Sequence, residues 1–146
     1  MSTYAEDKAY GKLMERGMYR YLKRFFGHTL RHNDDEFAPF DFEDCDVAVE
    51  MKSRKMRSSS WPTTMIKTLK VERCANEPRD CYFIFNFTDK MYYIRYDADQ
   101  FAKYERRLMK IDSRPDKAEA WEWRTFIPLA DLTTLKTFAA EPCLID

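Results

Sequence analysis

The sequence predicts a mixed α/β fold in which a central β-sheet is flanked by helices. Apolar side chains recur at helical spacing over residues 4–25, opposite a row of lysines and arginines, as in an amphipathic helix. Residues 47–52 instead alternate with a period of two, as half-buried strands do. The chain has only 3 glycines among 146 residues, which argues against a β-sandwich built on many tight turns.

The predicted elements follow the order helix, hairpin, helix, hairpin, helix, strand, and a short helix closes the chain. The five predicted strands, the last of them at an edge of a mixed sheet, are 37–42, 47–52, 81–87, 91–96 and 121–128. Helices are predicted at 4–25, from near Pro62 to Cys74, at 97–108 and at 129–138, with polar loops at 58–63 and 111–120. Gly27 is expected to end the first helix.

Length and composition predict one domain over residues 1–146. No apolar run has the length of a membrane span, and the first residues lack the apolar stretch of a signal peptide. The four cysteines show no CxxC pairing and are expected to be reduced thiols of an intracellular protein. With 25 basic and 25 acidic residues the net charge is +0, so the chain is not expected to coat nucleic acid by bulk charge. A net charge of zero is still compatible with a local basic patch.

The segment 41–52 carries the most informative motif. Glu50 and Lys52 lie on one face of the second predicted strand, and a hairpin through residues 43–45 can bring Asp41 near Glu50. Two carboxylates and a lysine are costly to bury between apolar strands, which suggests that they have a function. The function that these residue types indicate is to bind a hard divalent cation, with the lysine facing an anionic substrate.

This pattern resembles the PD-(D/E)XK nuclease superfamily. Asp41, Glu50 and Lys52 stand where that motif has its two acids and its lysine, and Glu15 lies in the preceding helix, where members often carry a glutamate. The lysines of the following helix, where members often place a helper base or a phosphate contact, are Lys67 and Lys70. The likeness covers residues from about 6 to 96, and one residue separates the proline from the first acid, so the literal Pro-Asp dipeptide is absent.

The resemblance implies a restriction-endonuclease-like core and a metal-dependent DNA endonuclease, similar to small stand-alone members of phages and other DNA viruses. Asp41, Glu50 and the backbone carbonyl of Met51 would hold Mg²⁺ or Mn²⁺. Lys52 would orient or deprotonate the attacking water or neutralise developing charge, and Glu15 could reach the site through a metal-bound water or a second ion. A Holliday-junction resolvase or an exonuclease shares this core. DNA is the expected partner, and a homodimer is compatible with the resemblance. The expected location is the cytoplasm or the nucleus, which for a virus-encoded protein means that of the host cell.

Other charged and aromatic residues have two interpretations each. Arg54, Lys55 and Arg57 would contact phosphates, or they form a solvated loop. Trp61 could stack on a base, but a core anchor is the favoured interpretation. His28 and His32 lack partners at zinc spacing, which argues against a zinc site. The alternatives to an enzyme are a solvent-exposed hairpin with no site and a non-catalytic module that binds DNA or a protein.

Overall fold

The computed structural model describes residues 3–111 and 120–138. Its helices are α1 (Tyr4–Phe26), α2 (Thr68–Ala75) and α3 (Ala98–Ala102), with 3-10 turns at Ser58–Ser60 and Leu129–Asp131. Its strands are β1 (Arg31–His32), β2 (Phe42–Glu43), β3 (Val47–Ser53), β4 (Thr63–Lys67), β5 (Asp80–Asn86), β6 (Lys90–Arg95), β7 (Glu105–Ile111), β8 (Ala120–Pro128) and β9 (Thr133–Thr137).

The strands form two sheets instead of the single five-stranded sheet that was predicted. Six strands are ordered β1-β2-β3-β5-β6-β9, and three more form an antiparallel sheet in the order β4-β8-β7. Within the larger sheet β3 and β5 are parallel, and the other neighbouring strands are antiparallel. Parallel neighbours need a crossover connection, and β4 and α2 provide it. The fold is therefore α+β with a mixed central sheet.

Each face of the larger sheet packs against its own hydrophobic cluster. On one face Val49 and Met51 join Leu22 of α1, with α1 residues such as Met18 packed around them. On the other face Ala48 joins side chains from α2, α3 and the smaller sheet, including Ile127. The alternation predicted for residues 47–52 is confirmed, and it directs Glu50 and Lys52 to the side that carries α2.

The first helix is confirmed, and its ends have identifiable causes. The Thr3 side chain accepts a hydrogen bond from the backbone N–H of Glu6 at 3.1 Å, and acidic residues occupy the first turn. At the other end, the N–H of Gly27 donates to the carbonyl of Lys23 at 2.8 Å. Gly27 has a φ of 122°, a backbone conformation that a side chain would disfavour, so the chain leaves the helix there.

The predicted hairpin forms, but its first strand is shorter than 37–42. Only Phe42 and Glu43 pair with β3. The residues before them form a turn in which Asp35 accepts hydrogen bonds from the N–H groups of Phe37 and Ala38. Pro39 has no N–H to donate to a ladder, which further disfavours a strand.

Residues 63–67 form β4, and the prediction that they begin a helix is wrong. Thr63, Thr64 and Ile66 are β-branched, which favours an extended chain over a helix. The buried residues Thr64 and Ile66 alternate with partly exposed ones, and the strand pairs with β8. The helix thus starts only at Thr68 and ends, close to prediction, at Ala75.

The predictions for the last third of the chain are partly wrong. Helix 97–108 reduces to α3, after which residues 105–111 pair with β8. The strand at 121–128 is confirmed, but β8 lies in the centre of the smaller sheet and not at an edge. The predicted helix 129–138 is a 3-10 turn followed by β9, which pairs with β6. The predicted loop 111–120 falls mostly on residues 112–119, which lie outside the described residues.

Strands 81–87 and 91–96 are confirmed as β5 and β6. The cysteines Cys45, Cys74 and Cys81 are free, and Cys143 lies outside the described residues. None of the helices in residues 3–111 and 120–138 combines the length and the apolar character needed to cross a membrane.

Candidate active site

A cleft of about 400 Å³ opens where β3 ends, between the first half of α1, the start of α2 and the smaller sheet. The four predicted catalytic residues Glu15, Asp41, Glu50 and Lys52 all line it, although they are separated by up to 37 positions in the chain. Met51, the third predicted metal ligand, lines it too. Of the five predicted nucleic-acid contacts, the three that line the cleft are Arg54, Lys67 and Lys70.

Glu50 is the most deeply buried of these groups, with 3% of its surface exposed. Its Oε2 accepts a hydrogen bond of 2.5 Å from Nζ of Lys70, on α2. Burial, and next the nearby charge of Asp41, raise the pKa of Glu50 to about 7 despite the opposing effect of Lys70. The carboxyl of Glu50 therefore keeps its proton to a higher pH than an ordinary glutamate does.

Asp41 is fixed by the backbone of β3. Its N–H donates to the carbonyl of Val49 at 3.0 Å, and its Oδ2 accepts from the N–H of Met51 at 2.8 Å. These two bonds hold the acid beside the strand that carries Glu50. The charge of Asp41 helps raise the pKa of both Glu50 and Glu15, so Asp41 is electrostatically coupled to both carboxyls.

Glu15 enters the cleft from α1 and is also buried. Its Oε1 lies 2.9 Å from Nε2 of His32 and 3.5 Å from Nζ of Lys12. Burial and the charge of Asp41 raise its pKa, although His32 and Lys12 act in the opposite direction. The sequence offers His32 only as a candidate zinc ligand, which its spacing disfavours. Its contact with Glu15 depends on the pairing of β1 with β2, which periodicity does not reveal.

Lys52 lies two residues beyond Glu50 on β3 and is exposed to the cleft. Partial desolvation lowers its pKa to about 8, together with the positive charges of Arg54, Lys70, Lys67 and Arg124. Lys52 still carries its charge for most of the time at neutral pH. A phosphate group brought to this point would meet several cations at once.

The cleft is thus acidic at one end and basic at the other. The acidic end consists of Glu15, Asp41 and Glu50, and the basic end surrounds Lys52. Lys70 lies between them, because it binds Glu50 and also lowers the pKa of Lys52. Lysine in the first turn of a helix is unfavourable with respect to the helix dipole, so the position of Lys70 is consistent with a role in the site.

The remaining basic residues differ in their surroundings. Arg54 is partly buried, and its Nη2 donates to the carbonyl of Met65 at 2.5 Å. Lys55 lies outside the cleft, with Nζ 3.6 Å from Asp7 and 5.1 Å from the centre of the Tyr10 ring. Arg57 also lies outside it, and 71% of its side chain is exposed.

Sequence reasoning missed Arg124, which enters the cleft from β8. Glu122, two positions earlier on the same face of that strand, binds Arg124 at 3.1 Å and lies 3.8 Å from Lys67. The alternation of β8 was recognisable in the sequence. The face that meets the cleft was not, because it depends on the pairing of β8 with β4 and β7.

The donor groups at the acidic end can be compared with the needs of a metal. No group of three or more His, Cys, Asp or Glu side chains placed to hold a metal ion is found within residues 3–111 and 120–138. Asp41 accepts a hydrogen bond from the backbone of Met51, and its charge acts on the neighbouring Glu50, so two carboxyls with hard oxygen donors lie near each other. Mg²⁺ is usually bound through one or two carboxylates and keeps several waters, so two carboxyls fit Mg²⁺ or Mn²⁺ better than zinc, whose sites have three or four protein ligands that usually include His or Cys.

Comparisons of the chain with protein-family models, with curated proteins and with solved structures found no match in any of the three. The likeness to the PD-(D/E)XK nucleases therefore stays a prediction from the residues of the motif.

Proposed function

We propose that the chain is a metal-dependent DNA endonuclease that hydrolyses phosphodiester bonds in this cleft. The observation that carries the proposal is the convergence of Glu15, Asp41, Glu50 and Lys52, from α1 and from both sides of the β2–β3 hairpin, on one cleft with an acidic and a basic end. Buried carboxyls with raised pKa values in a cleft are more frequent at functional sites than elsewhere. The restriction-endonuclease-like core is part of the same proposal.

The acidic end is proposed as the cation site. Asp41 and Glu50, with the carbonyl of Met51, would hold the ion, and Glu15 could act through a bound water. Mg²⁺ or Mn²⁺ bound there would act as a Lewis acid and lower the pKa of a water. The chain itself holds Asp41 in place through its hydrogen bond from Met51 and excludes water from Glu50 by burial.

The basic end is proposed as the phosphate site. Lys52 lies two residues beyond Glu50 on β3. Its positive charge at neutral pH would neutralise the negative charge that develops on the scissile phosphate. Arg54, Lys67 and Arg124 would hold the flanking phosphates. Water adds to phosphorus as one P–O bond breaks, which leaves a phosphate monoester on one fragment and a hydroxyl on the other.

The test is a cleavage assay on supercoiled, linear, single-stranded and four-way-junction DNA, with Mg²⁺, with Mn²⁺, with Ca²⁺ and with chelator. We expect cleavage with Mg²⁺ or Mn²⁺, none with chelator, and binding with little turnover in Ca²⁺, whose looser coordination positions water less well. The preferred DNA would distinguish an endonuclease from an exonuclease or a junction resolvase. Full activity in chelator, or binding without cleavage of any substrate, would refute the proposed enzyme, and the latter would favour the non-catalytic module.

The same proposal includes an intracellular site of action, in the cytoplasm or the nucleus, which for a virus-encoded protein means that of the host cell. The free thiols of Cys45, Cys74 and Cys81 support it, because reduced cysteines are typical of intracellular proteins. Homodimerisation is also proposed, since it would let so small a chain act on two strands. Sedimentation of the protein with and without DNA tests this point.

A further inference from the structure

Trp61 is not the core anchor that the sequence favoured. It follows the 3-10 turn Ser58–Ser60, and 65% of its surface is exposed. Beside it is a cavity of about 100 Å³, whose lining includes Met56, Arg57 and the buried ring of Phe87. A tryptophan at the mouth of a cavity presents a flat apolar face to an incoming ligand.

The segment that carries Trp61 is anchored at three points, so the exposure of the ring follows from a defined backbone. The N–H and the Oγ of Ser58 both donate to the carboxylate of Asp89, each at 2.7 Å. The N–H of Thr88 donates to the carbonyl of Met56 at 3.0 Å, and the N–H of Leu129 donates to the carbonyl of Pro62 at the same distance. A backbone that is already fixed loses little conformational entropy when a ligand binds.

The Trp61 cavity adjoins the basic end of the cleft, because Arg54 and Met65 line both. Arg54 is two residues beyond Lys52, the proposed partner of the scissile phosphate. Arg57, on the cavity side, offers a further exposed cation. A strand whose phosphates follow these cations would bring a base of a neighbouring nucleotide to Trp61.

We propose that Trp61 stacks on an unpaired base near the scissile phosphate, so that the substrate class is single-stranded DNA or branched DNA with unpaired nucleotides. The inference rests on the proposed function, which supplies the scissile phosphate. A base within a duplex is already stacked on its neighbours and would have to be flipped out at a cost. Stacking on an aromatic ring is sequence-tolerant, because every base has a π-face. The cavity would therefore select DNA structure and not DNA sequence.

The test measures DNA binding in Ca²⁺, where cleavage does not interfere, by wild type, Trp61→Ala, Trp61→Phe and Trp121→Ala. Trp121 is the matched control, since 59% of its surface is exposed and it lines neither the cleft nor the cavity. Trp61→Ala should weaken binding of a single-stranded oligonucleotide by about 5- to 150-fold and change duplex binding little. Trp61→Phe should retain most of the affinity, and Trp121→Ala should match wild type.

A second arm locates the stacked base. Single-stranded oligonucleotides with one abasic nucleotide, moved along the chain, should weaken wild-type binding at one position by about the factor lost in Trp61→Ala. That same oligonucleotide should bind Trp61→Ala no more weakly than the intact one does, because the two changes remove the same contact. The inference would be overturned if the abasic nucleotide and Trp61→Ala weakened binding additively at every position. It would also be overturned if Trp61→Ala weakened the binding of duplex and of single-stranded DNA equally.

The outcomes separate this inference from the proposed function. Binding that depends on Trp61 without any metal-dependent cleavage would refute the nuclease and keep the stacking site as a binding surface. Cleavage that depends on Asp41 but is indifferent to Trp61, on single-stranded and branched DNA alike, would keep the nuclease and refute the stacking site.

Discussion

Replacing Glu50 by glutamine should stabilise the metal-free protein at pH 8, although it removes an ion pair. The pKa of Glu50 rises from an ordinary 4.5 to about 7 because the carboxyl is buried beside Asp41. Between those two values the folded protein holds a proton that the unfolded chain releases, so the free energy of unfolding falls as the pH rises. At 1.36 kcal/mol per pH unit, the loss above pH 7 is about 3 kcal/mol. Glutamine is neutral at every pH and avoids this loss.

The assay is urea unfolding of wild type and Glu50→Gln in chelator from pH 4.5 to pH 8. The variant should be more stable by about 3 kcal/mol at pH 8, or about 10 °C in thermal midpoint, and by well under 1 kcal/mol at pH 4.5. A variant that is less stable at pH 8 would mean that the pair with Lys70 stabilises the fold. A gain that does not change with pH would mean that ionisation of Glu50 is not its cause.

Glu43→Gln is the matched control with the opposite sign. Hydrogen bonds from Arg79, followed in effect by those from Asn33, lower the pKa of Glu43 despite some burial. A lowered pKa contributes stability above the ordinary value, and that stability is lost as the pH falls through the folded value. Glu43→Gln should therefore destabilise the protein at pH 8, by an amount that shrinks towards low pH.

Two further predictions divide the basic residues by role. Lys52→Met should lower the single-turnover rate by about 100-fold or more and leave DNA binding in Ca²⁺ nearly intact, and a loss of affinity alone would make Lys52 a phosphate clamp. Arg57→Ala and Lys55→Ala should weaken binding, flatten its salt dependence by about 0.7 to 0.9 in slope per lost contact and spare the rate at saturation. The smaller effect is expected for Lys55, because it is already engaged by Asp7 and the Tyr10 ring. If either variant cleaved more slowly at saturating DNA, the replaced residue would belong to the catalytic site and not only to the binding surface.

The parts of the fold that the sequence predicted correctly are those with local causes. The first helix has a period, a cap at Thr3 and a stop at Gly27, all within one segment. Glu50 and Lys52 share a strand face through alternation alone. This local information predicts that Asp41, Glu50 and Lys52 lie together, and in the structure all three line one cleft.

The parts that the sequence missed depend on distant partners. Strands β4 and β7 exist through their pairing with β8, and β9 through its pairing with β6. Intrinsic β-propensity is too weak to reveal such pairing. Arg124 reaches the cleft because β8 pairs with β4 and β7, and His32 reaches Glu15 because β1 pairs with β2. Trp61 follows a segment that is tied to Asp89 through Ser58.

The central claim is that Asp41 and Glu50 together hold the cation that cleavage needs. Calorimetric titration of Mn²⁺ into wild type, Asp41→Asn, Glu50→Gln and the control Glu43→Gln tests it without DNA. Wild type and Glu43→Gln should bind Mn²⁺ with the same affinity, while both Asp41→Asn and Glu50→Gln should lose at least tenfold, since each lacks one of two carboxylate ligands. Unchanged Mn²⁺ affinity in Asp41→Asn and Glu50→Gln would contradict the account.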